Sequence, residues 1–222
     1  LGYSNPEIAR AIFNQASQLI TMKEDRVQVP RTRLIKTLTP ILPKGLDQLY
    51  WQNSGGEAVD KSLKIAKAYT KQRGVIAMVD SFHGRTHGAV AVTYNLAFRE
   101  PFGLESENWV RFIPFNDIGA LEEALKEGRE KIVITELVQG EEGGIRPAKR
   151  EYVERARELC DEHDALLIVD EVQTGFGRVA MEEGQWWASD YYGVVPDIMA
   201  IGKSYGGGFP VTSVVTKTHI SR

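Results

Sequence analysis

The sequence has only one cysteine, Cys160, among 222 residues. A single cysteine excludes an intrachain disulfide and a cysteine metal cluster, and it leads us to expect a reducing, cytoplasmic location. No apolar run approaches the roughly 20 residues that a membrane helix needs, so no membrane association is predicted. An excess of basic charge is also absent, because 27 Lys and Arg residues stand against 30 Asp and Glu residues. This balance argues against nucleic acid as a partner.

Internal repeats, low-complexity stretches and obvious linkers are absent as well. The content of 42% hydrophobic and 26% charged residues is typical of a globular protein. The chain begins with "LGYSNPEIARAIF" and stops after "VTSVVTKTHISR". Neither end resembles a natural terminus, so we expect a fragment of a longer polypeptide.

Two kinds of element alternate along the chain. Apolar residues at helical spacing predict helices at about 6–21, 30–41, 56–72, 117–128 and 149–163. Apolar runs predict strands at 48–53, 75–80, 110–115, 131–138, 165–172, 198–202 and 211–217. Several strands are continuously apolar, which is typical of strands buried on both faces. We therefore predict an α/β fold of three layers around a mostly parallel, seven-stranded sheet. Ligands bind beyond the carboxyl ends of such strands.

The first polar group at a strand end is Ser54-Gly55-Gly56, which leads into a predicted helix. Glycines let the backbone approach a ligand, and a helix N-terminus offers free N–H groups and positive potential. The group is a candidate phosphate site. The alternative is a capped helix after a tight turn.

The second group is "DSFHGRTHG" at 80–88. Phe82 could stack on a flat ring, and Arg85 could hold a carboxylate. His83 and His87 have the spacing of metal ligands on a helix, but the glycines here argue against a stable helix and no third ligand is evident. No metal site is predicted. The alternative is a polar surface loop.

The third and fourth groups follow the two most apolar strands. Asp170 ends "LLIVD" and needs a cationic partner, because an isolated buried charge is costly; the alternative is a structural salt bridge. Lys203 follows "IMAIG". If such a lysine is held partly out of water, it can act as a neutral nucleophile and form an imine with a carbonyl. The alternative is an ordinary surface lysine.

Taken together, these groups match the needs of pyridoxal phosphate. This cofactor has a phosphate, an aromatic ring with a nitrogen that works best protonated, a phenolic oxygen and an aldehyde. Its protein sites combine a lysine Schiff base with an acidic partner for the ring nitrogen. The chain offers a glycine-rich helix start, an aromatic residue, an aspartate, a glutamine and a lysine in that order.

Longer motifs carry a family resemblance. "NSGGEA", "SFHGRTHGA", "ELVQGEEGG", "LLIVDEVQTGFGR" and "YGVVPDIMAIGKSYGGGFP" resemble segments of the class III (ω-) aminotransferases of pyridoxal-phosphate fold type I. The similarity extends over nearly the whole chain. Two departures are Gly56, where the family usually has threonine or alanine, and "GKS" around the lysine, where it usually has "AKG".

The resemblance implies roles for individual residues. Lys203 would bond to the cofactor and move a proton, and Asp170 would pair with the ring nitrogen; these are the predicted catalytic residues. Gln173 would hydrogen-bond the phenolic oxygen. The other predicted cofactor-binding residues are Ser54, Gly55 and Gly56 for the phosphate and Phe82, His83 and Val172 around the ring. Arg85 and Glu141 are the predicted substrate-binding residues, and Glu136 would support the Asp170 region.

The resemblance also implies an activity and an architecture. We expect transfer of an amino group from an amino acid or ω-amino donor to a 2-keto acid, in a homodimer with shared active sites. The alternatives are an amino-acid racemase or epimerase on the same scaffold and a truncated paralogue without activity. Residues 1–45 would form an N-terminal helical segment, and residues 46–222 an incomplete cofactor-binding large domain without its C-terminal small domain.

Overall fold

A seven-stranded sheet with helices on both faces forms the centre of the computed structural model, which describes residues 3–23 and 25–221. The two expected domain ranges include four residues that lie outside the described part, namely residues 1, 2, 24 and 222. The sheet contains β1 (Gln48–Gln52), β2 (Gly74–Met78), β3 (Val110–Ile113), β4 (Glu130–Glu136), β7 (Leu166–Asp170), β8 (Ile198–Ile201) and β9 (Thr212–Thr216). A separate hairpin pairs β5 (Val138–Gln139) with β6 (Arg146–Pro147).

Seven α-helices lie in the described residues. They are α1 (Pro6–Ala16), α2 (Val29–Leu38), α3 (Gly55–Thr70), α4 (His87–Ala91), α5 (Ile118–Glu127), α6 (Arg150–Glu162) and α7 (Ala188–Tyr192). Among the same residues, no helix combines the length and apolar character that a bilayer-spanning segment requires.

The strand order in the sheet is β1-β9-β8-β7-β4-β2-β3. Four of its neighbouring pairs are parallel and two, β1–β9 and β8–β9, are antiparallel. The predicted mostly parallel sheet of seven strands is therefore confirmed. Because two antiparallel steps separate β1 from β8, both strands run in the same direction. The carboxyl ends of β1, β4, β7 and β8 consequently lie at one edge of the sheet.

Burial on both faces explains why the strands are continuously apolar. Along β7, Leu167 and Val169 pack into the apolar cluster that contains the buried residues of α5 and α6. Leu166 and Ile168 pack on the opposite side, with the buried residues of α3. Successive side chains of a strand point to opposite faces, so this division shows the three predicted layers.

Every predicted helix and strand ends at least one residue earlier in the structure than in the sequence-based prediction, and three of them serve as examples. The helix expected over 6–21 ends at Ala16, because none of its residues is buried and no core contact supports a further turn. The strand expected over 131–138 breaks after Glu136, and Val138 begins the separate hairpin. The strand expected over 165–172 ends at Asp170. All three differences lie at element ends, where local pattern is least informative.

No helix carries both His83 and His87, in line with the expectation from the glycines, because the residues from His83 up to Thr86 are not helical. A short helix, α4, includes Gly88 and packs against α3 through its buried alanines. A Cβ atom at Gly88 would lie only 2.3 Å from Oδ1 of Asp60, so the glycine leaves room for this carboxylate between the two helices. Tertiary packing thus overrides the low helix propensity.

Candidate functional site

A pocket of about 430 Å³ lies at the sheet edge where the carboxyl ends of the strands meet. Its walls come from the segments that follow β1, β2, β4, β7 and β8 and from the segment that precedes β9. All nine residues predicted to bind the cofactor line it: Ser54, Gly55, Gly56, Phe82, His83, Asp170, Val172, Gln173 and Lys203. The fold thus brings together side chains that are up to about 150 residues apart in sequence.

The N-terminus of α3 forms one end of the pocket. Ser54 caps the helix by accepting from the backbone N–H of Glu57 at 3.2 Å, and Glu57 accepts in return from the N–H groups of Asn53 and Ser54 at 2.8 and 3.2 Å. Thr212 donates its hydroxyl to the carbonyl of Ser54 at 2.9 Å, which ties the cap to β9. The first helical amides, at Gly55 and beyond, point out of the helix end and carry its positive potential. This end of the pocket suits an anion.

An aspartate, a histidine and a glutamate form the buried polar centre of the pocket. Nδ1 of His83 lies 2.9 Å from Oδ2 of Asp170, and both side chains are almost fully buried. Asp170 also accepts from the backbone N–H of Val172 at 3.1 Å. Glu136 is the register partner of Asp170 on β4 and accepts from the N–H of Phe82 at 3.2 Å. The cationic partner that the sequence predicted for Asp170 is therefore available within the chain, as His83.

Burial and charge shift the pKa values of two of these groups. Burial raises the pKa of Glu136 to about 7, and the neighbouring Asp170 adds to the rise while His83 opposes it. Burial by itself would lower the pKa of His83, but its contact with Asp170 and the nearby Glu136 outweigh burial and raise it. Nε2 of His83 is buried and has no hydrogen-bond partner among the described residues. Nδ1 of this ring thus forms a hydrogen bond with Asp170, whereas Nε2 has no partner among the described residues.

Glu171 follows Asp170 directly but serves a different region. Its carboxylate is fully buried and accepts from the hydroxyl of Thr174, from the N–H groups of Ala188 and Ser189 at 3.1 and 2.8 Å, and from the Ser189 hydroxyl at 2.8 Å. Burial raises its pKa, although these donors stabilise the ionised form. Glu171 therefore anchors the turn after β7 to the start of α7, while Asp170 lines the pocket.

Lys203 follows β8 after one intervening residue, Gly202, and begins a short 3₁₀ turn over Lys203–Gly206. Its Nζ donates to Oε1 of Gln173 at 2.6 Å. Both residues line the pocket. The lysine is exposed, as in the surface-lysine alternative, while its amine is held against Gln173 in the pocket lining.

The segment after β2 divides between the pocket and the surface. Phe82 and His83 line the pocket, and His83 is buried, so this part is not a polar surface loop. Arg85 is exposed, and its guanidinium carbon lies 5.1 Å from the centre of the Phe98 ring. Glu141 is also exposed. Neither Arg85 nor Glu141 is among the described residues that line the pocket.

Several lining residues were not predicted from the sequence. They are Asn53, Gly84, Val138 and the stretch from Gly208 to Thr212. Asn53 and Gly84 are next to predicted residues, so their positions in the sequence give a signal. Val138 and residues 208–210 lie within motifs that carry the family resemblance, whereas Val211 and Thr212 lie outside them, and the sheet topology brings all of them to this edge.

The residues present fit pyridoxal phosphate on structural grounds. The α3 N-terminus suits a phosphate, and the buried Asp170 suits a protonated ring nitrogen. A Cβ atom at Gly55 would lie 3.1 Å from Cγ1 of Val172, so the absence of a side chain keeps space open beside that wall. Lys203 supplies the amine that the cofactor aldehyde requires. The chemistry of these donors therefore agrees with the cofactor predicted from the sequence.

The fold and the pocket define an α/β protein with a ligand site at the carboxyl edge of its sheet. A family model described as "Aminotransferase class-III" matches residues 1–222, and the chain belongs to this family. It is 37% identical over 221 residues to an acetylornithine aminotransferase of Methanosarcina mazei, covering 100% of this chain and 54% of that relative. It is 39% identical over 215 residues to a [LysW]-aminoadipate semialdehyde/glutamate semialdehyde transaminase of Sulfurisphaera tokodaii, covering 96% and 53%. The chain thus spans about half the length of the curated relatives it matches.

Solved structures give the same assignment. An ornithine aminotransferase of Toxoplasma gondii, described with partial occupancy of PLP at its active site, matches with a TM-score of 0.87 and 32% identity over 99% of this chain and 52% of that one. An N-acetylornithine aminotransferase of Stenotrophomonas maltophilia matches with a TM-score of 0.80 and 31% identity, covering 100% and 55%. Both similarities support the same fold and family.

Proposed function

We propose that this chain carries the cofactor-binding part of a pyridoxal-phosphate-dependent aminotransferase. The supporting observation is that one pocket holds Lys203 with Gln173, Asp170 with His83, and the N-terminus of α3. Family membership supports the reaction class, and the Toxoplasma relative supports the cofactor. A racemase or epimerase is not favoured, because the named relatives are aminotransferases and transaminases.

When bound, pyridoxal phosphate supplies a carbonyl that bonds to amines and a ring that accepts electrons from the substrate carbon. The chain's residues supply the rest. Lys203 is the amine nucleophile and the group that carries a proton at Nζ, and Gln173 orients it through their hydrogen bond. Asp170, held by His83, provides the negative charge for a protonated ring nitrogen. Phe82 and Val172 supply apolar walls that exclude water from the ring.

The substrate class follows from the relatives. They are named for acetylornithine and for semialdehydes of aminoadipate and glutamate. We therefore propose an amino donor with its reactive amine at the end of the side chain and a 2-keto acid as acceptor. Arg85 would hold a substrate carboxylate and Glu141 would lie beside it, although both are outside the pocket lining. For this assignment to hold, the side chains of Arg85 and Glu141 must move toward the pocket, or the substrate must extend beyond it.

The architecture of the complete protein is part of the proposal. Residues 1–45 would form an N-terminal segment and residues 46–222 the cofactor-binding large domain, with the small domain in sequence that this chain does not contain. The active enzyme would be a cytoplasmic homodimer with shared sites. Exposed apolar side chains near the ends of the chain, such as Phe13 and Phe209, would be covered in such a dimer.

The decisive experiment is spectroscopic. Purified chain is mixed with pyridoxal phosphate, and the visible absorbance of a lysine-bound cofactor is recorded for the unaltered chain and for Lys203→Ala. We expect the band in the first and its loss in the second. Lys64→Ala is the matched control, because that lysine is exposed on α3 and does not line the pocket. Absence of the band, or its persistence without Lys203, would refute the proposal.

A second experiment separates the reaction types. The complete enzyme is incubated with an amino donor, with and without 2-oxoglutarate or pyruvate. An aminotransferase consumes the keto acid and produces a new amino acid. Inversion of the donor in the absence of any keto acid would identify a racemase instead.

A further inference from the structure

The turn that carries Lys203 is joined to the segment that carries Gln173 by three contacts. We call residues 203–206 the lysine turn and residues 173–178 the glutamine segment. The first contact is the hydrogen bond between Lys203 and Gln173. The second is a parallel stack of Tyr205 on Phe176, with ring centres 5.2 Å apart and planes inclined by 13°. The stack therefore lies next to the hydrogen bond that orients the lysine amine.

The third contact joins the outer edges of the same two segments. Nε of Arg178 donates to Oγ of Ser204 at 3.1 Å. This contact is exposed to solvent, so a weak contribution is expected from it. The stacked rings are more protected, because Phe176 and Tyr205 pack against a buried apolar cluster.

Phe176 also packs against the buried ring of Trp187. It makes an edge-to-face contact with Trp187, with ring centres 4.8 Å apart and planes inclined by 66°. Trp187 is 1% exposed, and its indole N–H donates to the carbonyl of Ile41 at 2.5 Å. Tyr205 thus stacks on a ring that the core holds in place. The lysine turn is linked through this stack to the rigid part of the fold.

Both joined segments contain a residue in a left-handed backbone conformation. The φ angle is +47° at Lys203 and +60° at Phe176. Residues other than glycine are strained in this region, and such strain persists only where surrounding contacts hold it. Lys203 itself is exposed, and its amine bonds to Gln173. The stack two residues later is an apolar contact that can hold the turn.

We propose that Tyr205 is a positioning residue for Lys203. Its ring, stacked on Phe176, holds the lysine turn in the conformation that directs Nζ toward Gln173 and the pocket. This inference rests on the proposed function, since it concerns how the reactive amine is presented. It requires a flat ring at position 205, whereas the phenolic hydroxyl is secondary, because among the described residues it accepts one long hydrogen bond, from the Ser213 hydroxyl at 3.4 Å.

The test measures how fast Lys203 bonds to pyridoxal phosphate. The chain is mixed with the cofactor, samples are reduced with borohydride at intervals, and modified lysines are located and quantified by peptide mass spectrometry. Tyr205→Leu removes the ring, and Tyr205→Phe keeps it. The free energy that an aromatic pair of this kind contributes corresponds to about a three- to tenfold change in a rate or equilibrium constant. We therefore expect Lys203 to be modified about three- to tenfold more slowly in Tyr205→Leu and within about twofold of the unaltered chain in Tyr205→Phe.

The controls separate positioning from general damage to the fold. Modification of exposed lysines elsewhere in the chain should be unchanged in every variant, and Tyr69→Leu, at an exposed tyrosine on α3, should leave Lys203 unaffected. Circular dichroism melting verifies that each variant folds. If Tyr205→Leu does not fold, Tyr205→Met, which fills the space without a flat ring, is compared with Tyr205→Phe in the same way.

The possible outcomes are distinct. If Lys203 of the unaltered chain is not modified, the proposed function fails. If it is modified, and the leucine or methionine variant reacts at the same rate, the positioning role of Tyr205 is overturned. Equal slowing in the phenylalanine variant also overturns it, because the stack is then not responsible. Slowing without the ring and recovery with phenylalanine support it.

Discussion

Glu136 should make the folded chain less stable as the pH rises. Burial raises its pKa from an ordinary value of 4.5 to about 7. In the unfolded chain the carboxyl group ionises near its ordinary value, so between the two values the folded state holds more protons. Stability therefore falls as the pH rises through this window. The full effect, present above pH 7, corresponds to about 3 kcal/mol.

The perturbation that isolates this effect is Glu136→Gln, which has nearly the same shape and cannot ionise. Its amide oxygen can still accept from the N–H of Phe82, as the carboxyl group does. Near pH 4.5 the two chains should have similar free energies of unfolding. At pH 8 the glutamine variant should be more stable by about 3 kcal/mol. The raised pKa of His83 also lowers stability as the pH rises, and this contribution is smaller in the glutamine variant, which keeps Asp170 but lacks the Glu136 charge that helps to raise the pKa.

The assay is denaturant unfolding of the cofactor-free chain at several pH values between 4.5 and 8.5, monitored by circular dichroism. Glu151→Gln, at an exposed position on α6, is the matched control, and its stability should differ little from that of the unaltered chain at any pH. A difference between Glu136→Gln and the unaltered chain that does not grow with pH would refute the argument. So would a variant that loses stability at pH 8.

Three further predictions concern stability, and each is measured by denaturant unfolding. Trp187→Ala should destabilise the chain by about 3–5 kcal/mol, because the indole is 1% exposed; a loss below about 1 kcal/mol would contradict its place in the core. Gly84→Ala should destabilise more than Gly45→Ala. Both glycines have positive φ angles, but only at Gly84 would a Cβ atom meet backbone, 2.7 Å from Cα of Gly56; equal losses would refute the steric reason. Asp197→Asn should cost about 3–5 kcal/mol at neutral pH, because two cationic partners lose their carboxylate. The pKa of Asp197 is lowered, so its carboxylate stabilises the fold at pH values above its ordinary pKa of 3.8, and this contribution is lost as the pH falls further. A difference in stability between Asp197→Asn and the unaltered chain that persists in strong acid would contradict this prediction.

The sequence by itself determined the sheet and the chemistry of its edge. Continuous apolar runs such as residues 166–169 are typical of strands that are covered on both faces, and several runs of this kind among the seven predicted strands indicated the central sheet. The ends of those runs carry Asp170 and Lys203, because polar groups are tolerated where a buried strand reaches the edge of the core. The order of these groups along the chain was sufficient to suggest a cofactor.

Tertiary structure alone decided which side chains meet. Asp170 and Glu171 are adjacent and chemically alike, yet one lines the pocket and the other is buried against α7. The pairing of His83 with Asp170 joins residues 87 positions apart, and the stack of Tyr205 on Phe176 joins two separate turns. Local pattern cannot specify these contacts, because they depend on strand order, register and the direction in which each chain segment leaves the sheet. For the same reason the exposure of Lys203 and the positions of Arg85 and Glu141 outside the pocket lining could not be derived from the sequence.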